Sequence, residues 1–437
     1  MRNCLVLILL SLTMCLEAQQ KDTLSIMCYN LLYYRNTTSF CTMSNNNPAD
    51  KDRAMRTIIG HALPDILVVN EMGGNSRLNT SLLLTGALNR GGRTYYSASN
   101  PEGLGQSLIN ALYYDNRKLV LESQSTITKD LNNNDLVRLI DVFTLRYKDS
   151  NLAIHKDTIR LHILAAHLKA GSSSSDQDER AAATEAAMAH LDSINATGNY
   201  FFAGDFNISS STEEAYKDLI NYKDTSLRFF DPINMPGSWK NSFSFSSIHT
   251  QSTHTSGGCF SGGGMDDRFD FILASGEVMN NTDRVKYIRN SYEALGQDGN
   301  RFNGSINSPT NNSVPSSVSQ ALFDMSDHLP VLMDVELSLP VITSTATENG
   351  NLSNHKRFII SNPAREELKI DLSASKERIA GIQLIDMKGR VIKEFNLLNS
   401  NAPSIFAIDI ASIKKGFYLL RINRAEGKST FERFVKY

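Results

Sequence analysis

The sequence has little with which to anchor itself in a membrane or to hold a polyanion by bulk charge. It contains one tryptophan, 11 prolines and five cysteines in 437 residues, and its formal net charge is −2. Beyond the first 18 residues no apolar run approaches the ~20 residues needed to span a bilayer, which excludes a stable helical anchor in the mature chain. No Cys/His spacing has the form of a zinc site, and no fixed-period repeat marks a solenoid or propeller. The single Trp239, in "INMPGSWKNSFSFSS", reads as buried or loop-packed, leaving little aromatic surface for entering lipid. What is present, 41% hydrophobic and 21% charged residues, describes a soluble globular chain. Its length implies two or three units.

The segment Met1–Ala18, "MRNCLVLILLSLTMCLEA", places Arg2 before an apolar run that ends at a small residue. It reads as a secretory signal peptide cut before Gln19. A lipoprotein signal at Cys15 is the weaker alternative, because Met14 is too large for the position before a lipidated cysteine. Three cysteines then remain. Cys28 lies in apolar "LSIMCYN" and reads as a buried thiol. Cys41 and Cys259 sit in polar, turn-rich loops, and export permits a disulfide between them.

Charge is divided unevenly. Residues 19–350 carry 27 basic and 36 acidic side chains, whereas residues 351–437 carry 16 and nine. If the acidic unit acts on an anionic substrate, a divalent cation and a few local basic groups must offset the repulsion.

Along the larger unit, "LSIMCYNLLYY", "DILVVNEM", "SLINALYYD", "LVRLIDVFTLRY", "TIRLHILAAHLKAG", "FFAGDFN", "DRFDFILAS" and "HLPVLMDVELSL" read as strands, many of them apolar throughout. "ADKDRAMRTIIGHAL", stopped by Pro64, "SDQDERAAATEAAMAHLDSI", with Ser175 or Asp176 as N-cap, and "STEEAYKDLINY", with a capping-type start, read as helices. "THTSGGCFSGGG" and "NGSINSPTNNSVPSSVS" read as long surface loops. Strands apolar on both faces, alternating with helices, imply sheets covered by helices. From these shifts we expect a signal peptide at 1–18, an α/β domain at 19–339, a linker at 340–356 and an all-β module at 357–437.

Polar groups collect at strand ends. Asn30 follows "IMCY", Glu71 follows "DILVVN", and His167 and Lys169 end "LHILAAHLK". Asp205 and Asn207 end "FFAGDFN" behind Gly204, which would permit a tight exit. Asp270 lies in "DRFDFIL", and Asp327 and His328 open "SDHLPV". Singly, each is an ordinary cap or terminator; together, several strand ends suggest one cleft.

In that order "YN", "PDILVVNEM", "AAHLKAG", "GDFN", "DRFDFIL" and "SDHLPV" resemble the endonuclease/exonuclease/phosphatase superfamily over about residues 25–337. That superfamily includes pancreatic-type deoxyribonucleases and bacterial sphingomyelinases. The resemblance implies a four-layer α-β-β-α sandwich and a divalent-metal-dependent phosphodiesterase. It implies Asn30, Glu71 and Asp327 at or near a Mg²⁺ or Mn²⁺ ion, and Asp205 aligning water. Asn207 and His328 would contact the phosphate, Asp270 would orient His328, and His167 would donate a proton. Arg268 either reaches substrate phosphate or pairs with nearby Asp266 and Asp267. Those two acids read as a solvated turn, with a second cation site, for an ion such as Ca²⁺, as the alternative. The long stretch between Asp270 and Asp327 is expected to loop over the cleft. Nucleic acid is the expected substrate, DNA preferred or DNA/RNA non-specific. A sphingomyelinase-like esterase and a non-catalytic surface-binding protein are the alternatives.

The tail pieces "SNPAREELKI", "IQLIDMKGRVIKEF", "IDIASIKKGFYLLRI" and "FVKY" resemble the sorting domain of type IX secretion. This implies a small β-sandwich that addresses the protein to outer-membrane export machinery, and a secreted or cell-surface location.

Overall fold

The computed structural model describes residues 21–339 and 358–437, except 104, 150, 153–156, 361, 375–377, 387–388, 399–403 and 426–428. The expected signal peptide at 1–18 and linker at 340–356 lie outside the described residues. The chain divides into two compact units that part between residues 342 and 343.

The first unit begins with β1 (Lys21–Tyr34), helix α1 (Pro48–Ala62), β2 (Ile66–Gly73), β3 (Tyr96–Ala98), β4 (Leu108–Asp115), β5 (Leu119–Lys129) and β6 (Asp135–Tyr147). It continues through β7 (Arg160–His167), β8 (Asn199–Asp205), β9 (Phe229–Phe230), β10 (Asp270–Ser275), β11 (Val285–Tyr287), β12 (Glu293–Ala294) and β13 (Val331–Ser338). One sheet runs β11-β13-β1-β2-β4-β3, with β12 also on β13; the other runs β5-β6-β7-β8-β10-β9. Side chains alternate across each strand. Leu24, Ile26 and Cys28 of β1, with Ile66 and Val68 of β2, face Ile163, Ala165, Phe201 and Ile272 of the other sheet. Met27, Tyr29 and Leu31 turn outward onto Met55, Ile58 and Ile59 of α1. On the far side Phe202, Phe271 and Trp239 pack against Ala187, Met188 and Leu191 of the helix Ser174–Ser193. Three apolar layers between four layers of structure explain why the strands are apolar on both faces. Trp239 is fully buried, as its sequence context suggests.

Several local expectations are corrected. The long helix is capped by Ser173, whose hydroxyl accepts from Asp176 N in a reciprocal capping box; Ser175 and Asp176 lie inside it. The helix Glu214–Ile220 has no side-chain cap, because Glu213 turns instead to Ser209 and to buried Arg180. The Ser/Asn-rich "loop" ends in a helix, Ser316–Met325, that buries Val318, Ala321, Leu322 and Met325 against α1. The stretch 271–326 packs against β13 and that helix and contributes no residue to the cleft described below.

In the second unit β14 (Glu367–Asp371) pairs with β17 (Ile405–Asp409). A second sheet runs β16 (Val391–Asn396), β15 (Ile379–Asp386), β18 (Gly416–Arg424) and β19 (Ser429–Lys436), all antiparallel. Leu368, Ile370, Ile382, Leu384, Leu420 and Phe434 form the core of this all-β sandwich.

Cys41 and Cys259 form a disulfide across 218 residues, and Cys28 is free and buried. Closing so long a loop constrains the unfolded chain. We expect replacement of both cysteines by serine to cost about 2–5 kcal/mol, read as a lower denaturation midpoint. Reducing agent should shift the unsubstituted protein by the same amount.

Candidate active site

Three neighbouring strands deliver one row of side chains. His167 ends β7, Asp205 ends β8, and the two are cross-strand partners in parallel pairing. Asp270 opens β10 and pairs with Asp205 from the other side. Partners in register project to the same face of a sheet. Gly204 serves this row by close approach rather than by a tight exit: a Cβ there would fall 1.8 Å from the carbonyl oxygen of Ala166.

The facing sheet supplies Asn30 and Glu71. β1 and β2 run parallel until Asn30 pairs with Asn70, and there the register slips. Glu71 takes a left-handed backbone, φ 57°, as do Leu32 and Tyr33 at 43° and 48°. A bulge of this kind re-aims a side chain, and here it turns Glu71 toward the gap between the sheets. The Asn30 amide donates to Glu71 Oε1 at 3.0 Å and to Asp205 Oδ2 at 2.9 Å, so the two sheets meet through one side chain. His167 Nε2 lies 3.6 Å from Glu71 Oε1 and 3.4 Å from Asp205 Oδ2.

His328 completes the centre. Its Nδ1 is 2.8 Å from Asp270 Oδ2, its Nε2 is 3.7 Å from Asp205 Oδ2, and the Gln251 carboxamide lies 2.7 Å from Nε2, where a charged ring requires the amide oxygen rather than the nitrogen. Burial opposes charge on His328, but Asp270, Asp205 and Asp327 outweigh it and hold the imidazole well above its ordinary pKa. The same burial pushes Asp205 up to about 7; His328 opposes that shift, and the Asp270 and Glu71 carboxylates add to it. His167 goes the other way. Burial, then Arg138 and His328, keep it well below the usual histidine range. Asn207, at φ 53°, folds back so that its N–H donates to Asp205 Oδ1 at 3.0 Å, fixing the carboxylate's second oxygen.

Glu71, Asn207, Asp205, His167, Asp327 and His328 all line one cleft of about 460 Å³. Asp327 sits at its wall. Ser261 N–H donates to its Oδ2 at 2.9 Å and the Gln251 carboxamide lies 3.3 Å from it, while its buried Oδ1 has no partner. The compact ligand-like group is instead Glu71, His167 and Asp205, whose donor atoms lie within 4.8 Å of one another. A divalent cation suits these residues on two observations. Buried carboxylates crowd together with too little positive charge, and an Asp327 oxygen is left unpaired. The donors are mainly hard oxygens, which favour Mg²⁺ or Mn²⁺.

Arg268 is a correction. Its guanidinium is buried, stacked over Phe271, and donates twice to Asp231, at 2.7 and 2.9 Å. It reaches neither substrate space nor Asp266 and Asp267. Nor is the acidic turn fully solvated: Asp267 is buried at the cleft wall, and burial pushes it up to about 6. Neither acid joins a metal-like group among the described residues. Lys169 turns away to Asp176.

Sequence reasoning missed Gln251, which touches both His328 and Asp327. It also missed Arg138 and Lys240, cations on the cleft wall, and Phe40, a phenyl 71% exposed at its rim. Only a polar strand-end signature was sought, and none of these four carries one.

Residues 27–328 match the endonuclease/exonuclease/phosphatase family. The chain belongs to that family. Residues 359–437 match the secretion system C-terminal sorting domain. No curated protein gives a significant match. Among solved structures, the human Nocturnin catalytic domain with bound sulfate aligns at 16% identity and TM-score 0.46, covering 72% of this chain and 97% of that one. TDP2 from Caenorhabditis elegans aligns at 17% and 0.42, covering 72% and 97%. A mannosyl-6-phosphatase from Bacteroides thetaiotaomicron aligns at 13% and 0.43, covering 71% and 99%. Family members are hydrolases of phosphate esters, often metal-dependent, and the sorting domain supports export by type IX secretion. Among the described residues no helix is long and apolar enough to cross a membrane.

The buried Arg268–Asp231 pair yields a test. Arg268→Met strands a buried carboxylate and should cost about 3–5 kcal/mol of stability. Where the variant is still folded, kcat/KM should stay within about twofold of wild type. A substrate contact would instead show as raised KM.

Proposed function

We propose that the protein is an exported, divalent-metal-dependent phosphodiesterase acting on nucleic acid as an endonuclease, on DNA or on both DNA and RNA. One observation carries the reading: Glu71, Asp205 and His328 line a single cleft, and buried Asn30 and Asp270 hold them there, Asn30 bonded to Glu71 and Asp205 and Asp270 to His328. Glu71, Asp205 and His167 would hold the ion, Asp327 stands near, and Asn30, whose amide nitrogen faces both carboxylates while its oxygen accepts from Leu32 N–H, braces them rather than ligating. When bound, the cation neutralises charge on the phosphoryl oxygens and lowers the barrier to attack by an anionic nucleophile.

The chain's own residues do the rest. Asp205, with a pKa drawn toward neutrality by burial, is suited to orient water and take its proton. Asn207 and a protonated His328 contact the phosphate, and Asp270 fixes the imidazole through Nδ1. His167 is expected from the family resemblance to protonate the leaving oxygen. Its environment favours the neutral ring, so we assign that proton to His328, which its carboxylate neighbours keep charged. Arg138 and Lys240 supply local positive potential that the acidic unit lacks overall. The sorting domain serves as the export address, with the outer-membrane secretion machinery as its partner. The sphingomyelinase-like alternative loses Trp239, which is buried, and keeps only Phe243 as an exposed aromatic of the same segment.

Purified protein should nick supercoiled plasmid with Mg²⁺ or Mn²⁺ and stop on addition of EDTA. Asp205→Ala and His328→Ala should each lower kcat by on the order of 10²–10³. Undiminished nicking by either variant would remove these residues from the chemistry. Absence of metal-dependent nicking would remove the nuclease.

A further inference from the structure

The segment that follows Asn30 is a thin partition with a job on each side. Leu32 and Tyr33 both take left-handed backbone, which side chains with a Cβ adopt only when their surroundings impose it. On the cleft side, the Leu32 N–H donates to Asn30 Oδ1 at 2.9 Å, and the Tyr33 N–H donates to Glu71 Oε2 at 3.1 Å. These two amides therefore hold Glu71, assigned above to the cation, and Asn30, which braces it. On the opposite side all three carbonyls are gripped by side chains. The Lys51 ammonium donates to Leu31 O at 2.7 Å and to Leu32 O at 2.5 Å. The Asn46 amide donates to Tyr33 O at 3.0 Å.

This grip is unusual in its cost. Lys51 is 1% exposed, and among the described residues its hydrogen-bond partners are those two carbonyls, with no carboxylate in ion-pair contact. Burying an ammonium without an ion pair is unfavourable, so a helix needing only packing at that position would carry an apolar residue. Asp52, next along α1, receives Tyr34 Oη at 2.6 Å and Arg35 Nη2 at 2.6 Å. Helix α1 thus clamps residues 31–35 through consecutive charged side chains. Lys51 and Asn46 also line a separate cavity of about 630 Å³, so they reach the partition from outside the catalytic cleft.

We propose that Lys51 and Asn46 are positioning residues that set the divalent-cation affinity of Glu71, and of the site braced by Asn30, by locking the Leu31–Tyr33 turn. Neither touches substrate or ion. Without them the turn relaxes toward ordinary backbone, its two amides leave Asn30 and Glu71, and the Glu71 carboxylate and its brace sample other orientations. The inference rests on the metal reading above.

The test is Mn²⁺ titration calorimetry with a parallel melting curve in the absence of metal. Asn46→Ala, which removes one hydrogen bond, should weaken Mn²⁺ binding about 10-fold, and Lys51→Met about 10–100-fold, the range typical of residues that orient metal ligands. Ile59→Ala, on the buried face of the same helix, should lower the melting temperature and leave the Mn²⁺ Kd unchanged. A folded Asn46→Ala variant that binds Mn²⁺ within twofold of wild type overturns the proposal. So does an equal loss of affinity in Ile59→Ala. Wild-type protein with no saturable Mn²⁺ binding would overturn the metal reading itself and the proposal with it, a failure distinct from one seen only in the variants.

Discussion

Too many carboxylates share too little space between the two sheets, and the rest of the site follows from how each is answered. Asp270 is answered by His328, which it keeps charged. Glu71 is answered by the Tyr33 N–H and the Asn30 amide. Asp205 receives the other Asn30 donor and the Asn207 N–H, and burial still raises its pKa toward neutrality. Neutral donors can satisfy oxygen lone pairs without cancelling charge. The residual negative potential is therefore a property of the fold, and it suits the hard cation proposed above.

Sheet topology decides why the crowding occurs there. β1 and β2 are parallel, and so are β7 and β8, so two pairs of strands finish at the same rim. Parallel neighbours bring the last residues of two strands side by side, whereas a hairpin would interpose a turn. The antiparallel partner β10 then starts where β8 stops, adding Asp270 to the row. Below that rim the strand faces are filled with apolar side chains, and a polar seam runs between the sheets. Asn70 donates to Asn110, and Asn110 donates to Asp141. Asn70 Oδ1 also accepts the Asp205 N–H, so the seam fixes the backbone of the residue that ends β8.

What could be read in the sequence was whatever a strand end advertises. "FFAGDFN" places Asp205 and Asn207 beside a buried run, and the same logic reaches Asn30, Glu71 and His167. Long-range pairing left no such mark. Arg268 stands two residues from Asp270 and shares its motif, yet its partner is Asp231, 37 positions upstream in sequence. Gln251 lies in a polar loop and meets His328 only because the fold returns the chain 77 residues later. The helix Ser316–Met325 was hidden for a compositional reason: its exposed serines mask the spacing of Val318, Ala321, Leu322 and Met325.

The cleft's rim shows how export and geometry are linked. Phe40 and Cys41 come from one loop and Gly258 and Cys259 from another, and the disulfide ties the two where they border the cleft. Both loops are rich in small and polar residues and bury little apolar surface of their own; the cluster at the bond is only Leu32, Cys41 and Cys259 with Tyr33 and Phe260 against it. Hydrophobic packing on that scale is too weak to fix two loops against their conformational entropy. A covalent tie does so, and an oxidising compartment is where it persists. Leu32 and Tyr33 belong at once to this cluster and to the turn whose amides hold Asn30 and Glu71. The tie therefore bears on Asn30 and Glu71 as well as on the rim, and a chain kept in a reducing cytosol would hold its site less firmly than an oxidised one.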